Sequence, residues 1–217
     1  MVNAGGNIRQ MAKDQKKQAI QNFSIAGVLF AIPVVLYLIF GLTGILVFIH
    51  VCCWVGGVVQ ARKGLKELQK AGRADRGAEA EESTALILSQ LEQEGWEIEY
   101  NIPIRRWGDA DAFLCSPKNN CFVVDTKSDG GTVFFDGTRL MKRYGKDIYS
   151  FSNDKDILKA ARGQAVTLRE MKRVRFVTPI LCFTKANLDI KKIDNNVENV
   201  YVLKHDSLVR MLKKLDK

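Results

Sequence analysis

The sequence predicts an α/β domain built on a mixed central sheet flanked by helices, preceded by a two-helix hairpin that crosses a membrane. Three observations carry this. Residues 25–59, IAGVLFAIPVVLYLIFGLTGILVFIHVCCWVGGVV, contain no Asp, Glu, Lys or Arg. After residue 77, helix-periodic segments alternate with short runs rich in Val, Phe, Ile and Tyr. Between two of those runs stands Ser116-Pro117-Lys118-Asn119-Asn120, a strong turn composition.

The apolar run is too long for one straight span. Its 35 residues would make a helix of about 52 Å, against a hydrocarbon core of about 30 Å. Gly41-Leu42-Thr43-Gly44 supplies two helix-weakening glycines near the middle, so two short spans are expected, 25–41 and 44–60, joined by a tight turn. Pro33 should kink the first, at tolerable cost in lipid. Both flanks are basic: Arg9, Lys13, Lys16 and Lys17 before, Arg62, Lys63, Lys66, Lys70, Arg73 and Arg76 after. The positive-inside rule then keeps both ends cytoplasmic. The run is far longer than the apolar core of a cleaved signal peptide. The expected organisation is a basic N-terminus (1–24), a membrane hairpin (25–60), a charged connector (61–76), helical until Gly72, and a soluble domain (77–217).

The net charge of +9 invites a nucleic-acid reading, but its distribution is uneven. Residues 1–76 hold 10 Lys and Arg against 3 Asp and Glu, so most of the excess flanks the membrane. Within the soluble part, 77–137 has 4 basic and 12 acidic residues and 138–176 has 11 and 4. An acidic block beside a basic block suits a metal site next to a phosphate-binding surface, and equally a plain domain with solvated faces. The five cysteines show no CxxC or His-partnered spacing and there are two histidines, His50 and His205. That argues against zinc and against a Cys/His catalytic pair, and cytoplasmic ends imply reduced thiols packed as small apolar groups.

A helix is expected over 79–95, ending at Gly95. With about 100° per residue, Thr84, Ala85, Leu88 and Leu91 form its inward stripe, Glu81 falls on that stripe and Glu79 opposite. A carboxylate there is either a helix-dipole partner in the first turn or one needing a cation or donor. Strands are expected at 97–104, 110–115, 121–127 and 132–136, a helix at 154–173, a buried strand at 176–184, a strand at 200–204 and a closing helix at 205–215. In FVVDTK, Asp125 and Lys127 share one face with Val123, while Phe122, Val124 and Thr126 take the other. A solvated edge ion pair is the ordinary reading of such a D-x-K. If Cys115 pairs across with Cys121, Asp111 stands opposite Asp125, about 5 Å away, and the two repel unless a cation bridges them. Asp109 competes with Asp111 should the register slip. In the 154–173 helix, Ile157, Ala161, Gln164, Leu168 and Met171 form an apolar stripe that turns the Gln164 amide inward, either as a structural group or as part of a site. Lys155, Lys159, Arg162, Arg169 and Arg173 occupy the opposite face, which is either a solvated face or a DNA groove.

These pieces together carry a resemblance. GAEAE ending at Glu81, DAFL beginning at Asp111, FVVDTK ending at Lys127 with Gly130-Gly131 after it, GQAVTLREM carrying Gln164, and VTPILCFTKANL resemble the nuclease-related domain (NERD) family, a branch of the PD-(D/E)XK nuclease superfamily, across about 77–215. Ala80 stands where that family commonly has Gly, and Asp125 where many members have Glu. The resemblance implies a restriction-endonuclease-like fold and a membrane-anchored, metal-dependent nuclease. Glu81, Asp111 and Asp125 would hold Mg²⁺, or Mn²⁺ in its place. Lys127 would stabilise the transition state, and Gln164 would orient Lys127 or the phosphate. The implied partners are nucleic acid, DNA foremost, and the membrane through residues 25–60. A homo-oligomer is compatible with this reading, and Cys52, Trp54, Gly56 and Gly57 offer small-residue packing for helix association with a membrane partner. Two rival functions keep the same residues: an inactive, membrane-tethered nucleic-acid-binding or regulatory module, and an interaction protein that recruits a membrane partner.

Overall fold

The computed structural model describes residues 5–40, 44–104, 106–151 and 156–217. It divides into two compact units, Gly6–Arg76, and Gly77–Lys217 together with Gly5.

The first unit is helical. Helix α1 (Gly6–Phe40) and helix α2 (Gly44–Glu92) provide it, and α2 continues into the second unit. Helix α1 is helical on both sides of Pro33 and buries Ala12, Ala19, Ala26 and Pro33, one residue in seven. Gly57, Gly64 and Ala71 are the buried counterparts on α2, at the same interval. Small residues let large ones from the facing helix seat against them. The Phe30 ring lies 5.2 Å from Trp54, a side chain added at Gly57 would come within 2.7 Å of Phe30, and Lys16 pairs with Asp75 at 2.6 Å. This seven-residue seam was not anticipated.

Among the described residues one helix, α1, is long and apolar enough to cross a membrane. That is a coarser outcome than two spans. The expected turn falls largely on residues 41–43, outside the described residues. The connector does not stop at Gly72: α2 runs through it to Glu92, because one weak helix former costs only about 1 kcal/mol inside a long helix.

The second unit is a mixed α/β fold. Its main sheet has the order β1-β2-β3-β7-β10-β9, from β1 (Glu97–Ile102), β2 (Ala110–Cys115), β3 (Cys121–Lys127), β7 (Val177–Phe183), β9 (Asn196–Val197) and β10 (Val200–Lys204). Strands β3, β7 and β10 run parallel and the other neighbours antiparallel. The buried centre explains the unbroken apolar runs of β3 and β7. A smaller sheet, β6-β5-β4-β8, comprises β4 (Thr132–Phe135), β5 (Leu140–Tyr144), β6 (Asp147–Tyr149) and β8 (Asn187–Asp189). Only β4 of these was anticipated. The others are short and polar, without the alternation that marks a half-buried strand.

One face of the main sheet packs Phe122 and Val124 against Leu88 and Leu91 of α2 and against Leu208 and Leu212 of helix α4 (Leu208–Leu215). The other packs Phe113 and Val123 against Ala165 and Leu168 of helix α3 (Ile157–Lys172). The side chain of Asp156 caps α3 by accepting from the amides of Leu158 and Lys159. Lys155 lies outside the described residues. Met171 is exposed rather than buried, in the last turn of α3 before the helix ends at the left-handed Arg173.

The expectation of reduced thiols is overturned at one pair. Cys115 and Cys121 face each other across β2 and β3, with Cα atoms 4.2 Å apart, and form a disulfide. The register that juxtaposes them permits the bond. Cys52, Cys53 and Cys182 are free. Closing so short a loop contributes about 2 kcal/mol in the chain-entropy account, so reduction should lower the unfolding free energy by that amount. Chemical denaturation with and without reductant measures it, and equal midpoints would show that the bond is absent in solution.

Candidate active site

The β2–β3 hairpin has the register on which the site depends. Cys115 pairs with Cys121 and the rungs continue to Ala112 with Val124. One rung further, Asp111 comes level with Asp125. The Asp111 Oδ2 accepts the backbone N–H of Thr126 at 2.5 Å. Lys127 Nζ donates to Asp125 Oδ1 at 2.6 Å. The Lys127 carbonyl accepts from the amide of Thr184, just past β7, at 3.0 Å. The pair therefore stands at the carboxyl end of a parallel run, where α/β sheets present ligands.

Glu81 arrives on α2, which covers the opposite face. It is 9% exposed, on the buried stripe with Thr84, Ala85 and Leu88, while Glu79 is exposed as expected. Its Oε2 is buried and accepts no hydrogen bond, and the amide of Gly5 donates to its carboxyl group. Burial, then the charge of Asp125, pushes Glu81 up to about 7, against a weaker pull from Lys127. Burial, then Asp125 and Glu81, holds the Asp111 carboxyl well above the usual range. Burial works against the Lys127 charge, but Asp125 and Asp111 outweigh it and its pKa ends above the ordinary lysine value. Three acids and one ammonium thus form a single electrostatic cluster, in which burial and mutual repulsion favour the protonated forms of Glu81 and Asp111.

Gln164 is buried on α3, as its stripe predicts. Its Nε2 donates to the Asp109 carbonyl at 3.1 Å, leaving Oε1 buried without a donor. Thus Gln164 holds the segment before β2 and makes no hydrogen bond to Lys127. Asp109 itself is exposed. The adjacent Gly163 lies under the Trp107 ring, where an added side chain would come within 2.2 Å. Both contacts tie the 106–109 segment to α3 and so set where Asp111 begins. Gly163→Ala should expel Trp107, cost about 1–3 kcal/mol by overpacking and lower activity as Asp111 shifts. An unchanged melt and cleavage rate would contradict this.

A family model, the nuclease-related domain, matches residues 76–184. The chain belongs to the NERD family. The match spans Glu81, Asp111, Asp125, Lys127 and Gln164 and ends just beyond β7, short of the 77–215 range expected from sequence. No curated protein and no solved structure matches the chain.

Whether the NERD domain suits a metal follows from its donors. Carboxylate oxygens are hard ligands of the kind Mg²⁺ takes, and mutual repulsion with an orphaned, buried Glu81 oxygen is what a divalent cation would relieve. Among the described residues, however, no group of three or more His, Cys, Asp and Glu side chains is assembled as a cage. Asp125 is turned onto Lys127 and Asp111 onto the Thr126 amide. The set fits the ion chemically and would have to rotate towards it. Sequence reasoning missed the Thr126 and Gly5 amides, which backbone position alone supplies.

Proposed function

We propose that this NERD protein is a membrane-anchored, metal-dependent nuclease that hydrolyses phosphodiester bonds of nucleic acid, DNA foremost. The observation that carries the reading is the Asp125–Lys127 pair at the carboxyl end of β3, with Asp111 and Glu81 electrostatically coupled to it. Glu81, Asp111 and Asp125 would hold Mg²⁺ or Mn²⁺. Such an ion, when bound, neutralises phosphate charge and lowers the pKa of a bound water. The protein's own groups do the rest. Lys127, protonated at neutral pH, offers its ammonium to the charge that develops on the phosphate oxygens. Asp125 holds that ammonium in place, and the Thr126 amide orients Asp111. Gln164 acts at one remove, by positioning the segment that leads into Asp111.

The anchor is the apolar run. From it both helices expose large apolar side chains, Leu38 at 75% and Phe48 at 73% among them, an arrangement suited to lipid rather than water. We read α1 and the start of α2 as a hairpin, and the basic flanks as placing the catalytic domain on the cytoplasmic side. There the Cys115–Cys121 bond would be open to reduction.

Full-length protein in detergent, assayed on DNA and RNA across a metal panel, tests the activity. Magnesium- or manganese-dependent cleavage that Asp125→Ala abolishes is expected. The inactive-module reading is supported by the lack of a ready cage among the described residues. Salt-sensitive binding without turnover in either metal would select it.

A further inference from the structure

Strands β5 and β6 form a ribbon whose composition differs from the rest of the domain. The segment RLMKRYGKDIY places Arg139, Lys142, Arg143 and Lys146 against a single acid, Asp147, and carries two tyrosines. Lys142 pairs across the ribbon with Tyr149, and Tyr144 with Asp147. Alternation therefore puts Lys142, Tyr144, Asp147 and Tyr149 on one face and Arg143 and Ile148 on the other. The two tyrosine rings are 6.0 Å apart and edge-on, and both are largely exposed, at 44% and 50%. Strand β6 pairs with β5 alone, so it ends the sheet.

That face is fastened to the segment leaving the candidate active site. Lys142 Nζ pairs with Asp129 at 2.8 Å. Tyr144 lies over Gly130 and Gly131. Gly131 has φ of +78°, and a side chain there would come within 2.7 Å of the Arg143 carbonyl and 2.9 Å of the Tyr144 ring. Only glycine meets both demands. Gly130 is three residues beyond Lys127, at most about 10 Å of chain.

We propose that the β5–β6 ribbon is a stacking platform for single-stranded nucleic acid, with Tyr144 and Tyr149 receiving bases and Lys146, exposed in the turn between the strands, a flanking phosphate. The inference deepens the nuclease reading and rests on it for the direction of the strand, which runs from the platform to Lys127. Stacked bases in a duplex offer no free faces, so two exposed rings beside the Lys146 ammonium select an unpaired strand. Arg143, on the other face, is held by a 3.4 Å contact with Asp189 and lies over the Phe134 ring.

Fluorescence anisotropy on full-length protein in detergent and EDTA, with labelled oligothymidylate, oligouridylate and a matched duplex, tests this without cleavage. The wild type should bind both single strands more tightly than the duplex. Tyr144→Ala and Tyr149→Ala should each weaken single-strand binding by about 5- to 150-fold, the range that stacking on one ring gives. Tyr144→Phe and Tyr149→Phe should retain it. Tyr149 stands on the sheet's edge, so its removal leaves the fold intact even if Tyr144→Ala does not. Equal binding of duplex and single strand, or unchanged affinity in Tyr149→Ala, overturns the proposal while leaving cleavage untouched. Conversely, single-strand binding with no metal-dependent cleavage would remove the nuclease reading and keep the platform.

Discussion

Replacing Asp125 by Asn is expected to slow metal-dependent cleavage by about 10²- to 10³-fold, a loss of about 3–4 kcal/mol of transition-state stabilisation. Lys127→Met should lose as much. The two side chains meet at 2.6 Å, and each sets the other's charge and position. They act as one device, so the double variant should be little worse than either single one. Their effects on the fold should differ. Asp125→Asn removes the negative charge that most raises Glu81 after burial, so the carboxyl groups that remain repel less. Lys127→Met removes the one cation that lowers both Glu81 and Asp111, and both should rise further. Single-turnover rates with saturating Mg²⁺, alongside melts of both variants in EDTA, separate catalysis from folding. Cleavage by Lys127→Met at the wild-type rate would remove the ammonium from the mechanism.

The stability of the metal-free protein should fall as pH rises from about 4.5 to about 7, and stay low above that. The sign follows from Glu81: its pKa is 4.5 unperturbed and about 7 in the fold. Across that window the folded state keeps a proton that the unfolded chain has released, so raising pH favours unfolding. A shift of this size amounts to about 3 kcal/mol above pH 7. Asp111 moves in the same direction and adds to it. Glu81→Gln should flatten the profile, because its amide carries no charge to bury. Magnesium should do likewise in the wild type, stabilising more at about pH 8 than at about pH 5, since the ion binds the ionised carboxylates. Chemical denaturation at several pH values, in EDTA and in Mg²⁺, measures both. A wild-type profile as flat as that of Glu81→Gln would show that Glu81 is not held away from water.

Much of this arrangement is legible in the chain. The membrane-length apolar run follows from its length and lack of charge, and the inward stripe carrying Glu81, the shared face of Asp125 and Lys127, and the burial of Gln164 follow from periods of 3.6 and 2, which are properties of a local backbone. The strong turn marks the hairpin and offers the Cys115–Cys121 register, but a slip that brings in Asp109 is equally compatible with the sequence, and the structure decides for the first. The disulfide was not legible, because it was argued from compartment and not from distance. Strands β5, β6 and β8 left no apolar alternation to read, and so the tyrosine platform was invisible too.

The sequence alone determined which side chains share a face on each element, because side-chain direction repeats along a helix or strand whatever surrounds it. Only the tertiary structure decided what those faces meet: that Gln164 reaches the Asp109 carbonyl, that Trp107 covers Gly163, that α1 and α2 share a seven-residue seam, and that Glu81 titrates near 7. Burial and neighbouring charge set these outcomes, and both depend on segments far apart in the chain. No local period can encode them.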